Sequence, residues 1–570
     1  MHLLQHFHNL TKEPKNAKEL KGLILQLAVQ GKLTAQWRAE NPNQEPATEL
    51  LKRIAKEKAE LVEAKKIRKE KPLSAISEEE KPYKLPEGWN WSQVGKLSTI
   101  KGGKRIPKGY QLSEEKTPYG YIRVTDMKNG TILTNKLKYI TENIRDIIKQ
   151  YTISKNDLYI TIAGTIGDVG KVPDEFDNMN LTENAAKIIL YQMNKKYLKL
   201  VLNSNLCRNQ FLDKVNQMAQ PKLALHRIAS TIIPLPPLSE QKAIVEVVEK
   251  LFKEVESLEE LTARRVVLRE NFVKSALAEL ATDTPNAWAF LQPHFPTFFA
   301  HPKTIKQLRE AVLQLAVQGK LTTQWRAENP DQEPATQLLE NIKSERLAIA
   351  KSQKEREKYS NLFRADKQIV LNGSRYWIRA ELVCDFITKG TTPKKHEFVD
   401  TGEIPFLKVY NIVNNKIDFL YKPQYVRKDI HDGVLKRSKL LPGDVIMNIV
   451  GPPLGKIAII PDEFPEWNMN QALAVFRPIP HIINSFLFLV LLEGTAIKSI
   501  ATVGTAGQDN ISLTQSRDLM IPLFSIPEQK AIVAQVDALM AFCDSLEQLV
   551  GKQTLLSERL MQSAVREVLA

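Results

Sequence analysis

The run Lys101-Gly102-Gly103-Lys104-Arg105-Ile106-Pro107-Lys108 follows a predicted strand and places four cations, Lys101, Lys104, Arg105 and Lys108, on one glycine-containing loop. Such a loop suits nucleic-acid phosphates, because ammonium and guanidinium groups neutralise phosphate oxygens and fix their position. Other groups of reactive type lack the spacing their chemistry needs. Residues 164–171 (GTIGDVGK) look like a nucleotide-phosphate loop, but one residue too many precedes the Gly-Lys, and Val172 stands where a hydroxyl would hold magnesium. Pro173-Asp174-Glu175 and Pro461-Asp462-Glu463 supply carboxylates of the kind that open a nuclease metal site. No E-x-K follows them: Glu183 and Lys187 are four apart, and residues 467–474 hold no acid or lysine. The motifs N-P-P-[FY] and D-P-P-[YF], which hold an adenine amino group during methyl transfer, are absent, and Gly451-Pro452-Pro453 lacks both the amide and the aromatic. The nine histidines are scattered except for His2, His6 and His8; His6-Phe7 recurs as His294-Phe295 without the other two, so no metal site is expected there. The residues therefore predict binding, not catalysis.

The elements that must carry that loop are organised by a repeat. Residues 25–51 (LQLAVQGKLTAQWRAENPNQEPATELL) and 313–339 (LQLAVQGKLTTQWRAENPDQEPATQLL) agree at 24 of 27 positions with an offset of 288. The same offset relates Glu240-Gln241-Lys242 to Glu528-Gln529-Lys530, and on it Trp89 pairs with Trp377, Lys101-Gly102 with Lys389-Gly390, and Gln220 with Gln508. A unit of half the chain is thus duplicated, with widely diverged side chains between its anchors. At 570 residues the chain is too long for one core.

After Ser239 the apolar residues Ile244, Val248, Leu251, Val255 and Leu258 step by four, three, four and three, a coiled-coil seam matched by Ile532, Val536, Leu539, Cys543 and Leu546. Ser239 is the expected cap of the first long helix, and Ser525 with Glu528 forms an expected capping box on the second. Further helical stretches are expected from Leu20 to about Lys71 and from Leu308 to about Lys358, the charges of residues 52–71 reading chiefly as a solvated face. Short β-like runs between Gly, Asn and Pro mark residues 84–236 and 373–522 as mixed α/β domains. Residues 86–230 hold 22 Lys and Arg against 13 Asp and Glu, much of a total excess of fifteen, which favours a polyanionic partner. Cys207, Cys384 and Cys543 are odd in number and far apart, so a reducing compartment is expected, with Cys543 filling a core. No apolar run reaches the ~18 residues of a membrane span and the start lacks signal-peptide features, so a cytoplasmic location is expected. A connector over residues 282–303 carries Trp288, Phe290 and Phe295, which either pack on the chain's own helices or dock a partner subunit.

The sequence resembles the specificity subunit of type I restriction-modification enzymes over nearly its whole length. The resemblance rests on I-P-L-P-P-L-S-E-Q-K-A-I at 233–244 and its partner at 521–532, on Q-G-K-L at 30–33 and 318–321 with N-P-x-x-E-P-A-T downstream, and on L-P-E-G-W-N-W at 85–91. It implies an α+β fold: two mixed α/β target recognition domains separated by long antiparallel coiled-coil helices, with a pseudo-twofold internal repeat. The expected order is a helical region (1–83), the first recognition domain (84–236), a central helix (237–281), the connector (282–303), a second helical region (304–372), the second recognition domain (373–523) and a C-terminal helix (524–570). Each domain would read one half of a bipartite asymmetric site on double-stranded DNA, and the coiled coils would set the spacing and dock two methyltransferase subunits. No cofactor is implied on this chain; S-adenosylmethionine, ATP and magnesium would belong to methyltransferase and restriction/translocase subunits. Lys389-Gly390-Thr391-Thr392-Pro393 matches the family's glycine-threonine-proline loop, from which the first copy departs; Lys389, Thr391, Thr392 and the adjoining Lys394 are candidates for DNA contact, as are the strands expected at Arg123 to Asp126 and Lys408 to Asn411. Rival readings are an enzyme acting alone, a coiled-coil scaffold and a stand-alone DNA-binding protein.

Overall fold

The structure is a computed structural model that describes residues 16–212, 222–280, 282, 284–366, 370–371, 375–451, 454–494, 497 and 510–569. His2, His6 and His8, the Gln220/Gln508 pair and Pro452-Pro453 lie outside them. The chain divides into two compact units, one reaching Val266 and taking in the chain end from Leu555, the other being Val267–Thr554. Each unit combines helices with mixed sheets, as the sequence predicts for an α+β protein.

The near-identical segments fold alike, as helices Asn16–Val29, Ala35–Glu40 and Ala47–Glu63 in the first unit and Pro302–Val317, Thr323–Glu328 and Ala335–Ile349 in the second. Breaks fall at the Asn-Pro and Glu-Pro pairs, since proline lacks the N–H that a helix interior requires. The glycine of each Q-G-K-L stops its helix in the left-handed region (Gly31 φ +71°, Gly319 φ +62°), where a Cβ is strained. The first helical region ends at Glu63, earlier than expected, whereas the second adds a separate helix, Gln353–Asp366.

The long helices are Leu238–Leu280 and Ile526–Leu569, 43 and 44 residues. At ~1.5 Å per residue each is about 65 Å long. Their seams are buried as patterned: Ile244, Val248 and Val255 share a core with Leu20 and Ile24, and Ile532, Val536 and Cys543 share one with Ile305 and Val312. Burial raises the pKa of Cys543, so its thiol is an inert filler. Equivalent ion pairs flank the two seams, Lys21 Nζ to Glu256 Oε1 at 3.1 Å and Arg309 Nη2 to Asp544 Oδ1 at 2.6 Å. The caps differ from expectation. The first helix already starts at Leu238, and the Ser239 hydroxyl donates to Gln44 Oε1. Ser525 Oγ does accept the Glu528 N–H at 3.4 Å, but the Glu528 carboxylate is turned to Thr322 and Arg326, so the box is only half formed.

Each recognition domain opens and closes on one antiparallel ladder, Asn90–Gln93 with Ile232–Leu235 and Arg375–Arg379 with Met520–Pro522. Inside lie two sheets. In the first domain Ser98–Gly102, Ala185–Leu190, Leu158–Thr161 and Val169–Lys171 form an antiparallel sheet in that order. Its counterpart is Cys384–Lys389, Leu473–Pro478, Val445–Asn448 and Ile457–Ile459. The other sheet contains one parallel pairing in each domain, Tyr121 with Asn180 and Phe406 with Asn468.

These ladders correct the register of the repeat. Trp91, not Trp89, pairs with Pro234 as Trp377 pairs with Pro522, so the opening strands are offset by 286. A bulge between Cys384 and Phe386 adds one residue, and Thr99 opposite Ile189 then matches Phe386 opposite Arg477, an offset of 287. Gly390 is therefore the counterpart of Gly103, not of Gly102.

Candidate nucleic-acid interface

What seats each recognition domain on its helices is the Glu-Gln of the repeated E-Q-K run. Glu240 is fully buried; Oε1 accepts from Thr34 Oγ1 at 2.7 Å and from Arg38, while Oε2 accepts from Trp89 Nε1 at 2.7 Å. Glu528 accepts from Thr322 Oγ1 at 2.7 Å and from Arg326. The neighbouring Gln241 accepts the Asn194 N–H at 3.0 Å and donates to the Pro236 carbonyl at 3.0 Å; Gln529 accepts from Ile483 at 2.9 Å and donates to Phe524 at 2.8 Å. A buried carboxylate is tolerated only when paired and hydrogen-bonded, and here one joins residues from distant parts of the sequence. A second tie is equally repeated. Lys58 Nζ donates to the carbonyls of Gly95 (2.7 Å) and Ser98 (3.0 Å), and the buried Arg346 donates to those of Leu382 (2.9 Å) and Cys384.

The basic loop of the first domain leaves the edge strand Ser98–Gly102. Gly103 N–H donates to Ala185 at 3.0 Å and Lys104 N–H to Leu181 at 2.8 Å, so the loop is fixed against the neighbouring strand ends. A Cβ on Gly103 would stand 2.1 Å from the Thr182 carbonyl oxygen, which admits only glycine. The second domain repeats this with Gly390 N–H to Leu473 at 3.0 Å and Thr391 N–H to Met469 at 3.2 Å, a Cβ on Gly390 lying 2.1 Å from the Asn470 carbonyl oxygen. The side chains of Lys101, Lys104, Arg105 and Lys108 are exposed, as are those of Lys389, Thr391, Thr392 and Lys394. All eight candidates on or beside the two loops are thus exposed.

Arg123 to Asp126 and Lys408 to Asn411 are tight 3-10 turns after a strand, not strands. Asp126 is buried and accepts Arg123 N–H at 2.8 Å, with the guanidinium of Arg123 forked onto it at 3.1 and 2.8 Å. Asn411, also buried, accepts Lys408 N–H at 3.0 Å and donates to Asp418 and Tyr421 carbonyls at 3.1 and 3.0 Å. The Asp126 and Asn411 side chains are spent on turn geometry, while the Arg123 guanidinium keeps part of its surface exposed. Lys408 lies partly exposed over the Phe398 ring, 5.1 Å from its centroid.

The phosphate-loop look-alike at 164–171 is a turn that runs into the strand Val169–Lys171, paired antiparallel with Leu158–Thr161. Among the described residues His431, Asp432 and Glu466 bring their ligand atoms within 4.8 Å of one another. The Lys439 ammonium already sits between Asp432 and Glu466, and Asn468 Nδ2 donates to His431 Nδ1 at 3.0 Å, an arrangement that satisfies the group without a metal.

A family model described as "Type I restriction modification DNA specificity domain" matches residues 86–264 and again 381–555, over half of the chain. The chain belongs to this family. The type I restriction enzyme EcoAI specificity subunit of Escherichia coli is 30% identical to it, over 94% of this chain and 91% of its own length. The EcoEI specificity subunit, also of Escherichia coli, is 27% identical over 93% and 90%. The HsdS subunit from Thermoanaerobacter tengcongensis, a crystal structure, covers 85% of this chain and 98% of its own at 18% identity and a TM-score of 0.41, too low to add to the assignment. As a DNA specificity protein the chain is a recognition component, not a catalytic one. The two matched segments contain the two glycine-anchored loops.

In this specificity protein the connector folds as the short helices Thr284–Leu291 and Phe295–Phe298. Leu291 and Phe299 are buried and the tilted rings of Phe295 and Phe299 meet at 4.4 Å, so part of the segment packs on the chain's own core. Trp288 and Phe290 stay 46% and 47% exposed, and Phe290 lines a cavity of about 360 Å³ together with Phe272, Ala276 and Ala287. Among the described residues no helix is long and apolar enough to cross a membrane.

Proposed function

We propose that the two recognition domains each read one half of a bipartite, asymmetric site on double-stranded DNA, and that the long helices fix the spacing and receive two methyltransferase subunits. In this reading the chain carries no cofactor. S-adenosylmethionine serves the methyltransferase subunits, ATP and magnesium serve restriction/translocase subunits, and the assembly works in the cytoplasm. The observation that carries the reading is the pair of loops at Gly103 and Gly390, equally anchored yet built from different side chains. Equal frames with unlike surfaces fit a duplex site whose halves differ, because phosphate contacts position a protein while base edges specify it.

The half-exposed Trp288 and Phe290 are the docking face for a methyltransferase subunit, since exposed aromatics are the usual anchors of an interface. Phe295 supports that face from beneath. The test is to express the chain with its methyltransferase subunit and map adenine methylation across a genome. One split motif with unlike halves is expected; methylation without a defined sequence, or of a motif with identical halves, would refute the proposal.

A further inference from the structure

The corrected register makes two side-chain pairs equivalent. Arg105 matches Thr392 by the offset of 287 that holds from the bulge to the loop, and Glu183 matches Gln471 by the offset of 288 that holds in the facing strands. Each pair closes the same gap between the glycine loop and the turn before the central strand. Arg105 Nε donates to Glu183 Oε1 at 2.6 Å, and Thr392 Oγ1 bonds Gln471 Oε1. Both pairs are electrically neutral, and an exposed ion pair adds little to folding stability. Their difference is in what they offer outward.

Arg105 gives Nε to Glu183 while its side chain stays 76% exposed; among the described residues its terminal nitrogens bond nothing. What faces solvent is therefore a fork of donors with no acceptor. Gln471 is exposed and presents an amide, a donor beside an acceptor. In the major groove guanine shows two acceptors, O6 and N7, which match the first pattern; adenine shows the N7 acceptor beside the N6 donor, which matches the second. The Arg105 loop is held by two backbone hydrogen bonds and by the Tyr121 hydroxyl, which donates to the Lys104 carbonyl at 2.9 Å; the turn of Gln471 is held by Asn470 N–H to Leu407 at 3.0 Å and Ile449 N–H to Ala472 at 2.9 Å, so both readers are presented on fixed backbone.

We infer that these pairs are base readers at matching places in the two domains: Arg105 takes a guanine in one half-site and Gln471 an adenine in the other, with Glu183 and Thr392 as positioning residues. The inference rests on the proposal that both domains read DNA. Methylation by the complex of this chain with its methyltransferase subunit is the readout, and the variants are Arg105→Ala, Gln471→Ala and the transplant Arg105→Thr with Glu183→Gln.

Arg105→Ala should relax one G·C position of one half-site, lowering discrimination there about ten- to hundredfold, with the other half unchanged. Gln471→Ala should do the same at one A·T position of the opposite half, and the transplant should move the first position toward A·T. Glu183→Gln should blur only the Arg105 position while the unfolding curve stays that of the parent. Unchanged motifs in Arg105→Ala and Gln471→Ala overturn the inference, as does an even loss over both halves, which marks a phosphate contact. A parent complex that methylates no defined sequence sinks the DNA-reading proposal itself, a result no single variant can mimic.

Discussion

Glu240 ties together three parts of the first unit. Its two oxygens take three donors, from Thr34, Arg38 and Trp89, with no exposure to water. Glu240→Ala leaves Arg38 and Trp89 facing an empty site, and breaking a buried ion pair costs about 3–5 kcal/mol. Chemical denaturation should show that loss in the first transition to unfold, and an unshifted curve would contradict the assigned role. His431 offers a pH test in the second unit. Burial holds its pKa below the ordinary 6.5, so the folded protein binds this proton less readily than the unfolded chain. Its contribution is full above pH ~6.5 and falls as the pH drops toward the lowered value. Unfolding midpoints from pH 8 to 5 should decline in the parent, and His431→Gln should flatten the decline. In the sequence Asp126 and Asn411 stand out only as polar residues behind a strand, candidates for DNA contact. Their burial arises from contacts with carbonyls and amides that residue type alone does not announce.

The long helices were legible because their seam is periodic, and periodicity is a local property of sequence. The E-Q-K run was legible as a repeated motif but not as a lock, since its partners lie 206 and 202 residues away, at Thr34 and Arg38. The bulge at Cys384 to Phe386 was illegible for a different reason. Length changes inside the domains compensate one another, so anchors on both sides still differ by 288 while Trp377 has slipped from Trp89 to Trp91. The ties between helix and domain are testable at this scale. Arg346 is buried and bonds the turn at residues 381–384 through backbone carbonyls, so Arg346→Ala should destabilise the second unit by about 2 kcal/mol or more in equilibrium unfolding. Arg346→Lys should recover part of it, as the equivalent Lys58 manages with two carbonyls.

Duplication gives the molecule two domains with the same sockets. Replacing residues 94–231 by 380–519 keeps both opening and closing ladders, so the chimera should fold and direct methylation to a motif with identical halves. Circular dichroism and methylation mapping check the two parts of that expectation, and an aggregated chimera would show that the sockets are not equivalent.

The ladder that joins Asn90 to Leu235 also has a mechanical meaning, because the chain goes in and comes out at the same end of it. Tension along the polypeptide would load those bonds one after another, as a zip fastener opens, and never all at once as in a sheared lap joint. Stretched between optical tweezers, each lobe should yield at low force while its urea resistance remains ordinary; a high rupture force would show that some other element bears the strain.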